Sequence, residues 1–508
     1  MSPGRFPRLT AEEAAAMLRD GQTVGFGGFT ASGTPKALPA ALAARTRAER
    51  AAGRDFRLGA ITVSTGQAFD GVLAAADTIA FKTPYQSCAA FRALVNEERV
   101  RFIDMHLSHV TQALRYGSLG PLDWTVLEVA DLSPTGAAVL TSAVGAAPTL
   151  VARAPNILVE INRRHPAALA GLHDLYEAAD PPDRREIPIY RVSDRIGSTL
   201  LHIDPAKIRG VLETDAPDEG TAFDAPDPAA LRIGRNVAGF LAGERAQGRI
   251  PAGFLPLQSG VGDIANSVLA ALGEHPEIPP FEMYTEIVQD AVIRLMEAGR
   301  VRFASACAFT VSPQALARVY ANLDWFKARM VLRPQEITNH PEVVRRLGLI
   351  AMNTALEADV FGNVNSTHVL GRQMLNGIGG AGDFTRNAYL SIFTCPSTAK
   401  GGRISTIVPM VSHQDHSEHS VQVLATEWGV ADLRGRTPRE RARLIIDRCA
   451  HPDYRDALDR YLRLAAPGHT PATLRAAFAF HERYEQTGDM RGVRFDAPAK
   501  ETVTEPRP

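Results

Sequence analysis

One glutamate occupies a position where its carboxylate could do chemistry. Glu286 follows residues 281–284, a run typical of a strand, and precedes apolar residues at helical spacing from Ile287 to Met296. In open α/β sheets, ligands bind where a strand passes into the following helix. A carboxylate there can serve as nucleophile, general acid or general base. The same position also suits a glutamate that only stabilises the helix dipole, so the pattern alone leaves both interpretations open.

Glycine-rich loops are the second feature that could bind a ligand. They lie at residues 25–28, 258–262 and 377–383. Glycine lets the backbone approach a ligand, and the amide groups of such a loop can converge on an oxyanion or a phosphate. None of the three is a clean dinucleotide fingerprint, and a Walker A motif is absent. Each alone could be an ordinary tight turn, but three in one chain favour a binding site.

Two further groups carry weaker signals. Lys400 stands beside two glycines after a predicted strand at residues 390–393, which suits a phosphate contact or a solvated turn. His413, His416 and His419 are spaced three residues apart and could supply metal ligands. This spacing is not among the strong metal signatures. We therefore predict a polar loop near the site, and no metal.

The elements around these residues alternate between helix and strand. A capping box formed by Thr10 and Glu13 begins a helix, and residues 23–26 form a strand. A helix capped by Thr34, with Pro35 at its first position, and a strand at residues 58–63 follow. Such alternation predicts an α/β fold with a mostly parallel sheet flanked by helices.

The second half of the chain repeats this layout. Residues 255–262 read as a strand and a glycine loop, followed by a helix that ends at Leu272, much as residues 24–42 do in the first half. Residues 215–228 are rich in Pro and Asp, as in a linker. We therefore predict two tandem α/β domains, residues 1–222 and 223–490, and a frayed tail at residues 491–508.

Composition restricts the class of protein. The 508 residues include 55 basic and 56 acidic ones, a net charge of −1 that argues against nucleic acid or an anionic membrane as partner. Four scattered cysteines and the lack of an apolar signal segment in residues 1–9 predict a cytoplasmic protein. The uncharged residues 132–152 are long enough to cross a membrane, but their Gly, Pro and hydroxyl content favours the interior of a domain.

Taken together, several motifs resemble those of the acetyl-CoA hydrolase/transferase family, in its class I CoA-transferase form. They are residues 258–266 (QSGVGDIAN), 284–286 (YTE), 352–368 (MNTALEADVFGNVNSTH), 376–387 (NGIGGAGDFTRN), 399–402 (AKGG), 407–416 (IVPMVSHQDH) and 426–435 (TEWGVADLRG). The resemblance covers nearly the whole chain and is densest between residues 255 and 435. It implies two tandem CoA-transferase-like domains, paired in a homodimer, with acyl-CoA and small carboxylic acids as substrates.

The resemblance also implies roles for individual residues. Glu286 falls on the family's catalytic glutamate, and Asn339 and Glu427 fall on auxiliary polar positions beside it. The candidate oxyanion and CoA-binding residues are Gln258, Ser259, Gly260, Val261, Gly262, Asn376, Gly379, Gly380 and Lys400. One departure is Glu219, where members often carry an arginine able to bind the carboxylate of an acid substrate. The acid, of the acetate, succinate or propionate class, therefore stays open.

The chemistry expected of such a site moves CoA without a cofactor. Glutamate attacks an acyl-CoA thioester, and the released CoA thiolate then displaces the acid to leave a glutamyl-CoA thioester. A second acid runs the same steps in reverse, and coenzyme A is a substrate throughout. An acyl-CoA hydrolase using the same glutamate is the main alternative. A non-catalytic acyl-CoA-binding protein, and an NAD enzyme using residues 25–28, are weaker alternatives, the latter because a ribose-binding acid at the expected distance is missing.

Overall fold

Two large sheets organise the chain, and the strand order of the second repeats that of the first. The computed structural model describes residues 6–220 and 227–495. The strands of the first sheet are β1 (Thr23–Phe26), β2 (Leu58–Ile61), β3 (Ile79–Thr83), β4 (Arg101–Phe102), β5 (Trp124–Leu132), β6 (Ala137–Leu140), β7 (Asn156–Asn162), β8 (Leu201–His202) and β9 (Ile208–Thr214). Seven of them run parallel in the order β4-β3-β2-β1-β5-β7-β9, while β6 and β8 form an antiparallel branch from the end of β5.

The second half contains one large sheet and several short ribbons. Its strands are β10 (Leu257–Ser259), β11 (Phe281–Tyr284), β12 (Ile287–Gln289), β13 (Val301–Ala306), β14 (Ala308–Thr310), β15 (Met330–Leu332), β16 (Ile350–Thr354), β17 (Glu357–Asp359), β18 (Val364–Asn365), β19 (His368–Val369), β20 (Gln373–Met374), β21 (Leu390–Thr394), β22 (Thr398–Ala399), β23 (Ile404–Ser405), β24 (Ile407–Val408), β25 (Val423–Thr426) and β26 (Gly429–Asp432). The large sheet has the order β15-β13-β11-β10-β16-β21-β25-β26 and is parallel except for β26.

Helices flank both sheets. They are α1 (Ala11–Met17), α2 (Leu38–Ala51), α3 (Gln67–Ala75), α4 (Ala89–Asn96), α5 (Leu107–Arg115), α6 (Ala147–Arg153), α7 (Pro228–Ala246), α8 (Asp263–Glu274), α9 (Asp290–Glu297), α10 (Pro313–Ala321), α11 (Leu323–Lys327), α12 (Gln335–Thr338), α13 (Pro341–Leu347), α14 (Ala381–Thr385), α15 (Pro438–Arg448), α16 (Pro452–Arg463) and α17 (Ala479–Thr487). The predicted α/β class with mostly parallel sheets is confirmed. Both the boundary at residue 222 and residues 496–508 of the expected tail lie outside the described residues.

The repeat predicted between residues 24–42 and 255–272 has a topological basis. β1 and β10 are the first strand of their halves, and each lies at the point where later strands are added on the opposite side. Loops that follow the strands at such a switch point form a crevice in which ligands bind. Two glycine loops found in the sequence, at residues 25–28 and 258–262, follow these two strands.

One helix begins later than predicted. Thr34 and Pro35 do not begin a helix, and α2 starts at Leu38 instead. The backbone amides of Lys36 and Ala37 instead donate to the buried carboxylate of Glu160 on β7, at 2.6 and 2.9 Å. Glu160 thus satisfies the amides that precede α2, a tertiary contact that local sequence does not reveal.

The two halves share one core. Its largest apolar cluster runs from Phe6 to Ala425 and includes residues of both sheets. A segment of the first half, Ala178 to Val192, packs into a second cluster with Tyr284 and Phe384 of the second half. Residues 132–152 lie in β6, α6 and their flanking turns, and no helix among the described residues is long and apolar enough to cross a membrane.

A buried ion pair fastens Asp174 of the first half to the second sheet. Arg333, directly after β15, is fully buried and bonds the carboxylate of Asp174, and it also donates to Ser305 Oγ at 2.8 Å. Asp174 in turn accepts from the amides of Ile196 and Gly197 at 2.9 and 2.6 Å. Removing the cation would leave the buried Asp174 carboxylate without its ion-pair partner.

We expect Arg333→Met to destabilise the protein by roughly 3–5 kcal/mol, the usual result of leaving one buried charge unpaired. Urea unfolding followed by circular dichroism measures the shift in midpoint. The matched control is Arg318→Met, which removes an exposed pair with Glu297 and should leave the midpoint nearly unchanged. Equal midpoints for both variants would contradict the structural role given to Arg333.

Candidate active site

Glu286 sits in the short connection between β11 and β12, with its backbone held from the neighbouring strands. Its carbonyl accepts from the amides of Cys307 and Ala308, at 2.8 and 3.2 Å. The helix expected to start at Ile287 begins only at Asp290, because residues 287–289 form β12, which pairs with β14. Glu286 is therefore placed by two parallel strand pairs, at the carboxyl edge of the sheet.

The loop at residues 377–383 closes over this carboxylate. A Cβ atom on Gly380 would overlap both Oε1 of Glu286 and Nδ2 of Asn339. Only glycine lets the backbone lie this close to the two side chains. Gly379 has a positive φ of 59°, and its carbonyl accepts from the amide of Leu107 at 3.2 Å.

Asn339 connects Glu286 to a second carboxylate. Its Nδ2 donates to Glu286 Oε1 and to Asp383 Oδ2, the latter at 3.2 Å. Asp383 also accepts from the amide and hydroxyl of Ser108, at 3.1 and 2.6 Å. The predicted position of Asn339 beside Glu286 is thus present, whereas Asp383 and Ser108 were not among the predicted residues. The only sequence signal for Asp383 is its place at the end of the densest glycine loop.

Burial changes the protonation of both carboxylates. Loss of water and, to a smaller extent, the nearby Asp383 charge raise the pKa of Glu286 to about 7, against the Asn339 hydrogen bond. Burial likewise raises the pKa of Asp383 to about 6, opposed by the hydrogen bonds from Ser108. Near neutral pH, Glu286 is therefore poised between its two forms and is a more basic carboxylate than one in water.

A cavity with about 820 Å³ of open space lies in front of Glu286, between the two domains. Phe29, Thr30, Ser64, Tyr85 and Leu107 line it from the first domain. The second domain contributes the loops after β10 and β11, the end of β16, Ser366 and residues 376–381. Among the described lining residues, Glu286 carries the only carboxylate.

The predicted residues at the end of β10 and in the loop that follows form two groups. One group supports the loop, and the other lines the cavity. The Gln258 amide is buried and pairs with that of Asn353 at 3.3 Å, and the carbonyl of Ser259 accepts from Thr285 Oγ1 at 3.1 Å. Gly260 and Val261 line the cavity, and Gly262 precedes α8 with φ of 121°.

Two backbone amides are candidate donors for an oxyanion site. Within the part of the chain that the structure describes, the amides of Val261 and Gly380 have no hydrogen-bond partner. They belong to two different loops that face the same cavity as Glu286. Asn376 also lines the cavity, and its Oδ1 accepts from the amide of Gly377 at 2.8 Å.

Two predicted residues lie away from Glu286. Glu427 follows β25, which is four strands from β11, or about 19 Å at the usual strand spacing. Its carboxylate accepts from the amide and hydroxyl of Ser397, at 2.8 and 2.6 Å. The resemblance implied that Glu427 lies beside Glu286, but the strand order separates the two residues. Lys400 is exposed in the turn between β22 and β23, outside the cavity, and its contact with CoA stays a prediction.

The histidine-rich segment at residues 413–419 packs against neighbouring segments of the chain. His413 stacks on His368 with ring centres 3.8 Å apart, and His416 is buried against Phe393. Among the described residues, only Glu128, His165 and Asp218 are grouped closely enough to hold a metal ion. The ammonium group of Lys36 already lies 2.7 Å from Glu128 and 2.9 Å from Asp218, so the chain itself supplies a cation there.

Comparison with known proteins decides the family. The model of the acetyl-CoA hydrolase/transferase N-terminal domain matches residues 4–212, and that of the C-terminal domain matches residues 316–462. The chain belongs to the acetyl-CoA hydrolase/transferase family. The resemblance found in the sequence is thereby confirmed.

Individual relatives of this family member match it over nearly their whole length. It is 48% identical to the propanoyl-CoA:succinate CoA transferase of Escherichia coli, over 96% of this chain and 99% of the relative. It is 42% identical to the succinyl-CoA:acetate CoA-transferase of Clostridium kluyveri, over 95% and 90%. The solved structure of 4-hydroxybutyrate CoA-transferase from Porphyromonas gingivalis shares the fold, with a TM-score of 0.63 at 23% identity over 90% and 97% of the two chains.

Glu219 has a structural contact in this member of the family. Its carboxylate accepts from the amide of Ala68 at 2.9 Å, in the first turn of α3. A negative charge at a helix N-terminus is favourable. The residue therefore stabilises α3 beside the loop that contributes Ser64 to the cavity wall.

Since burial raises the pKa of Glu286 from 4.5 to about 7, its charge destabilises the folded state as the pH rises through that interval. We expect Glu286→Gln to melt at the same temperature as the wild type near pH 4.5. Near pH 8 it should melt at a higher temperature, because the wild type alone must then bury a charge. Thermal melts across this pH range measure the difference, and a difference that stays constant with pH would contradict the raised pKa.

Proposed function

We propose that this protein is a class I CoA-transferase that moves CoA between an acyl-CoA and a small carboxylic acid through Glu286. The observation that carries the proposal is the Glu286 carboxylate pressed against Gly380, in a cavity where the amides of Val261 and Gly380 have no partner among the described residues. Such a group suits attack on a thioester carbonyl whose oxygen needs donors as it becomes negative.

The first half-reaction forms a covalent enzyme. Glu286 Oε attacks the thioester carbon, the carbon–sulfur bond breaks, and CoA leaves as a thiolate from a mixed acyl-glutamyl anhydride. The thiolate then attacks the glutamyl carbonyl and displaces the acyl group as a free carboxylate. The product is a glutamyl-CoA thioester, which a second acid resolves by the same steps in reverse.

Each step passes through an oxyanion that the cavity can stabilise. The amides of Val261 and Gly380 are suitable donors, because no group of the described chain competes for them. Loss of one such donor typically lowers the rate roughly 10²–10³-fold. Asn339 keeps the carboxylate oriented through one oxygen, and the other oxygen remains available for attack.

The charge state favours this chemistry. A carboxylate whose pKa lies near 7 is a better nucleophile than one in water, and it is still about half ionised at neutral pH. Every step exchanges one anion for another, so no general base is required. Independence from metals and resident cofactors, the homodimer and the cytoplasmic location all stay predictions.

The substrates we propose come from the relatives. Enzymes 48% and 42% identical to this chain are named for propanoyl-CoA with succinate and for succinyl-CoA with acetate. Short acids of the acetate, propionate and succinate class are therefore the first pairs to assay. Glu219 does not line the described cavity, so it supplies no direct contact to choose among them.

Hydrolysis is the second candidate, because the matching family models cover acetyl-CoA hydrolases as well as transferases. A hydrolase would resolve glutamyl-CoA with water instead of an acid. Acyl-CoA consumption with and without added acid distinguishes the two activities. Release that depends on acid, with a new acyl-CoA as product, identifies the transferase.

We expect Glu286→Ala to abolish transfer, because the nucleophile is lost. Glu286→Asp withdraws the carboxylate by about 1 Å, which can cost on the order of 10²-fold. Initial rates of the wild type at varied acid should give parallel reciprocal plots, as covalent exchange requires. Mass spectrometry after acyl-CoA exposure and borohydride reduction should map the adduct to Glu286.

The matched control for this experiment is Glu427→Ala, since the structure places that carboxylate about four strands away. It should retain the covalent adduct at Glu286. Intersecting plots, or an adduct at Glu427, would overturn the assignment of the nucleophile.

A pH profile tests the coupling between the two carboxylates. We expect kcat/KM to fall below about pH 7, as the raised pKa of Glu286 leaves less carboxylate at lower pH. Asp383→Asn removes the charge that helps to raise this pKa, so the acid limb should move to lower pH. Glu297→Gln removes an exposed carboxylate that pairs with Arg318 at the surface, and should leave the limb near pH 7. An unmoved limb in Asp383→Asn would contradict the coupling.

A further inference from the structure

Helix α5 of the first domain contacts the candidate site at both of its ends. At its beginning, the amide of Leu107 donates to the carbonyl of Gly379 at 3.2 Å. The amide and hydroxyl of Ser108 donate to the Asp383 carboxylate, at 3.1 and 2.6 Å. These bonds use amides that the first turn of a helix leaves without partners inside the helix. The beginning of α5 therefore holds the glycine loop that closes over Glu286.

The end of α5 holds the second segment that touches Glu286. Arg115, the last residue of α5, donates from Nη1 and Nη2 to the two carboxylate oxygens of Glu336, at 2.7 and 2.6 Å. The two side chains are only 11% and 6% exposed. Arg115 Nε also donates to the carboxylate of Asp180 at 2.8 Å. A bidentate pair of this kind fixes direction as well as distance.

Glu336 lies on the short helix α12, three residues before Asn339. The amide of Asn339 donates to the carbonyl of Gln335 at 3.0 Å, so the turn of α12 continues up to the residue that bonds Glu286. A helix of four residues is too short to be stable by itself. Its position therefore depends on contacts from other parts of the chain, and the ion pair with Arg115 is the charged one.

Two neutral hydrogen bonds also hold α12. The amide of Gln335 donates to the carbonyl of Gly145 at 3.0 Å, and the hydroxyl of Tyr284 donates to the carbonyl of Ile337 at 2.7 Å. Each fixes one backbone atom of the helix. They should keep α12 in place when the ion pair is weakened, so that the orientation of the helix changes while the fold persists.

Asn339 is the point at which the two segments meet. Its Nδ2 donates to Glu286 Oε1 and, at 3.2 Å, to Asp383 Oδ2. Ser108 and Arg115, which hold the two segments, are seven residues apart on α5, or about 10.5 Å along its axis. One helix thus sets the relative position of the two segments that contact the carboxylate.

We propose that Arg115 is a positioning residue for the reaction. Its pair with Glu336 fixes α12 and thereby the direction in which Asn339 donates to the Glu286 carboxylate. Arg115 is not among the described residues that line the cavity, so it acts through Asn339 and not on the substrates. The inference rests on the proposed function, because it takes Glu286 as the nucleophile.

The conservative variant Arg115→Lys separates charge from geometry. It keeps the cation but loses the planar fork that binds both oxygens of Glu336. A misplacement of ~1 Å near the reacting groups can lower a rate on the order of 10²-fold. For this smaller change we expect kcat for CoA transfer to fall about tenfold, with the KM for acyl-CoA little changed. Steady-state kinetics with acetyl-CoA and succinate measure both.

The matched control is Arg434→Lys. Arg434 also pairs with two carboxylates, those of Glu244 and Asp432 at 2.6 and 2.8 Å, but it lies beside β26 at the edge of the second sheet. This variant should keep the wild-type kcat. An unchanged kcat in Arg115→Lys, or an equal loss in both variants, would overturn the positioning role.

A double-mutant cycle with Asn339 distinguishes positioning from a general loss of structure. Asn339→Ala removes the group through which Arg115 is proposed to act. Adding Arg115→Lys to this variant should therefore lower kcat no further. A loss by the same factor with and without the Asn339 side chain would show that Arg115 acts independently of it, and the inference would fail.

Thermal melts test the same contact without turnover. The Asn339 hydrogen bond lowers the pKa of Glu286, so a misdirected bond should raise this pKa above about 7. The melting difference between Glu286→Gln and its parent should then keep growing to a higher pH in the Arg115→Lys background than in the wild type. The charge of Asp383, which also raises the pKa, is held by Ser108 and should stay in place.

The melts and the kinetics have separate consequences. If the melting profile shifts in Arg115→Lys but the wild type transfers no CoA, the proposed function fails while the positioning of Glu286 stands. If transfer is intact but the profile does not move, the positioning role is wrong. Should Arg115→Lys not fold, Glu336→Gln carries the same comparison, because it removes the charge from the other side of the pair.

Discussion

The contact between the Glu286 carboxylate and the backbone of Gly380 sets the conditions for the rest of the site. A carboxylate taken out of water is costly unless hydrogen bonds replace the lost solvent. Here Asn339 supplies one such bond, and Asp383 fixes the amide that donates it. The part of this cost that the hydrogen bonds do not offset raises the pKa of Glu286 to about 7. Burial therefore provides the basicity that the proposed chemistry uses.

That contact depends on the first domain although Glu286 and Gly380 both belong to the second. The loop carrying Gly380 is held by Asp104, Leu107 and Ser108, which contact Ile378, Gly379 and Asp383 respectively. Thr30 and Thr310 join the domains on another side of the cavity, with hydroxyls 2.9 Å apart. A change in the relative position of the domains would therefore alter the environment of Glu286 directly.

Local patterns in the sequence were enough to predict the alternating elements, the glycine loops and the position of Glu286 where a strand ends. Each of these depends on residues close together in the chain. Asp383 and Ser108 could not be predicted, because their roles arise from a contact across 275 positions of sequence. The contact that precedes α2 has the same origin, since Glu160 lies 124 positions from Lys36.

Glu427 shows what a correctly recognised motif does not reveal. Its motif was recognised correctly as belonging to the family, but a motif does not give the distance between two loops. The sheet order does, because each intervening strand adds a fixed spacing, and β10, β16 and β21 lie between β11 and β25. Position within a parallel sheet is thus information that becomes available only with the topology.

In the proposed mechanism, the repeated strand order explains why one nucleophile is sufficient. Both halves direct the loops after their central strands toward the same cavity, so duplication produces two walls of similar construction. The connection after β11 carries Glu286, whereas the one after β2, at the equivalent place in the first sheet, contributes Ser64. In a covalent exchange mechanism, the donor thioester and the acceptor acid use the same carboxylate in turn. A single glutamate between two such walls can therefore serve both half-reactions, while the first domain is free to shape the space that the acyl groups occupy.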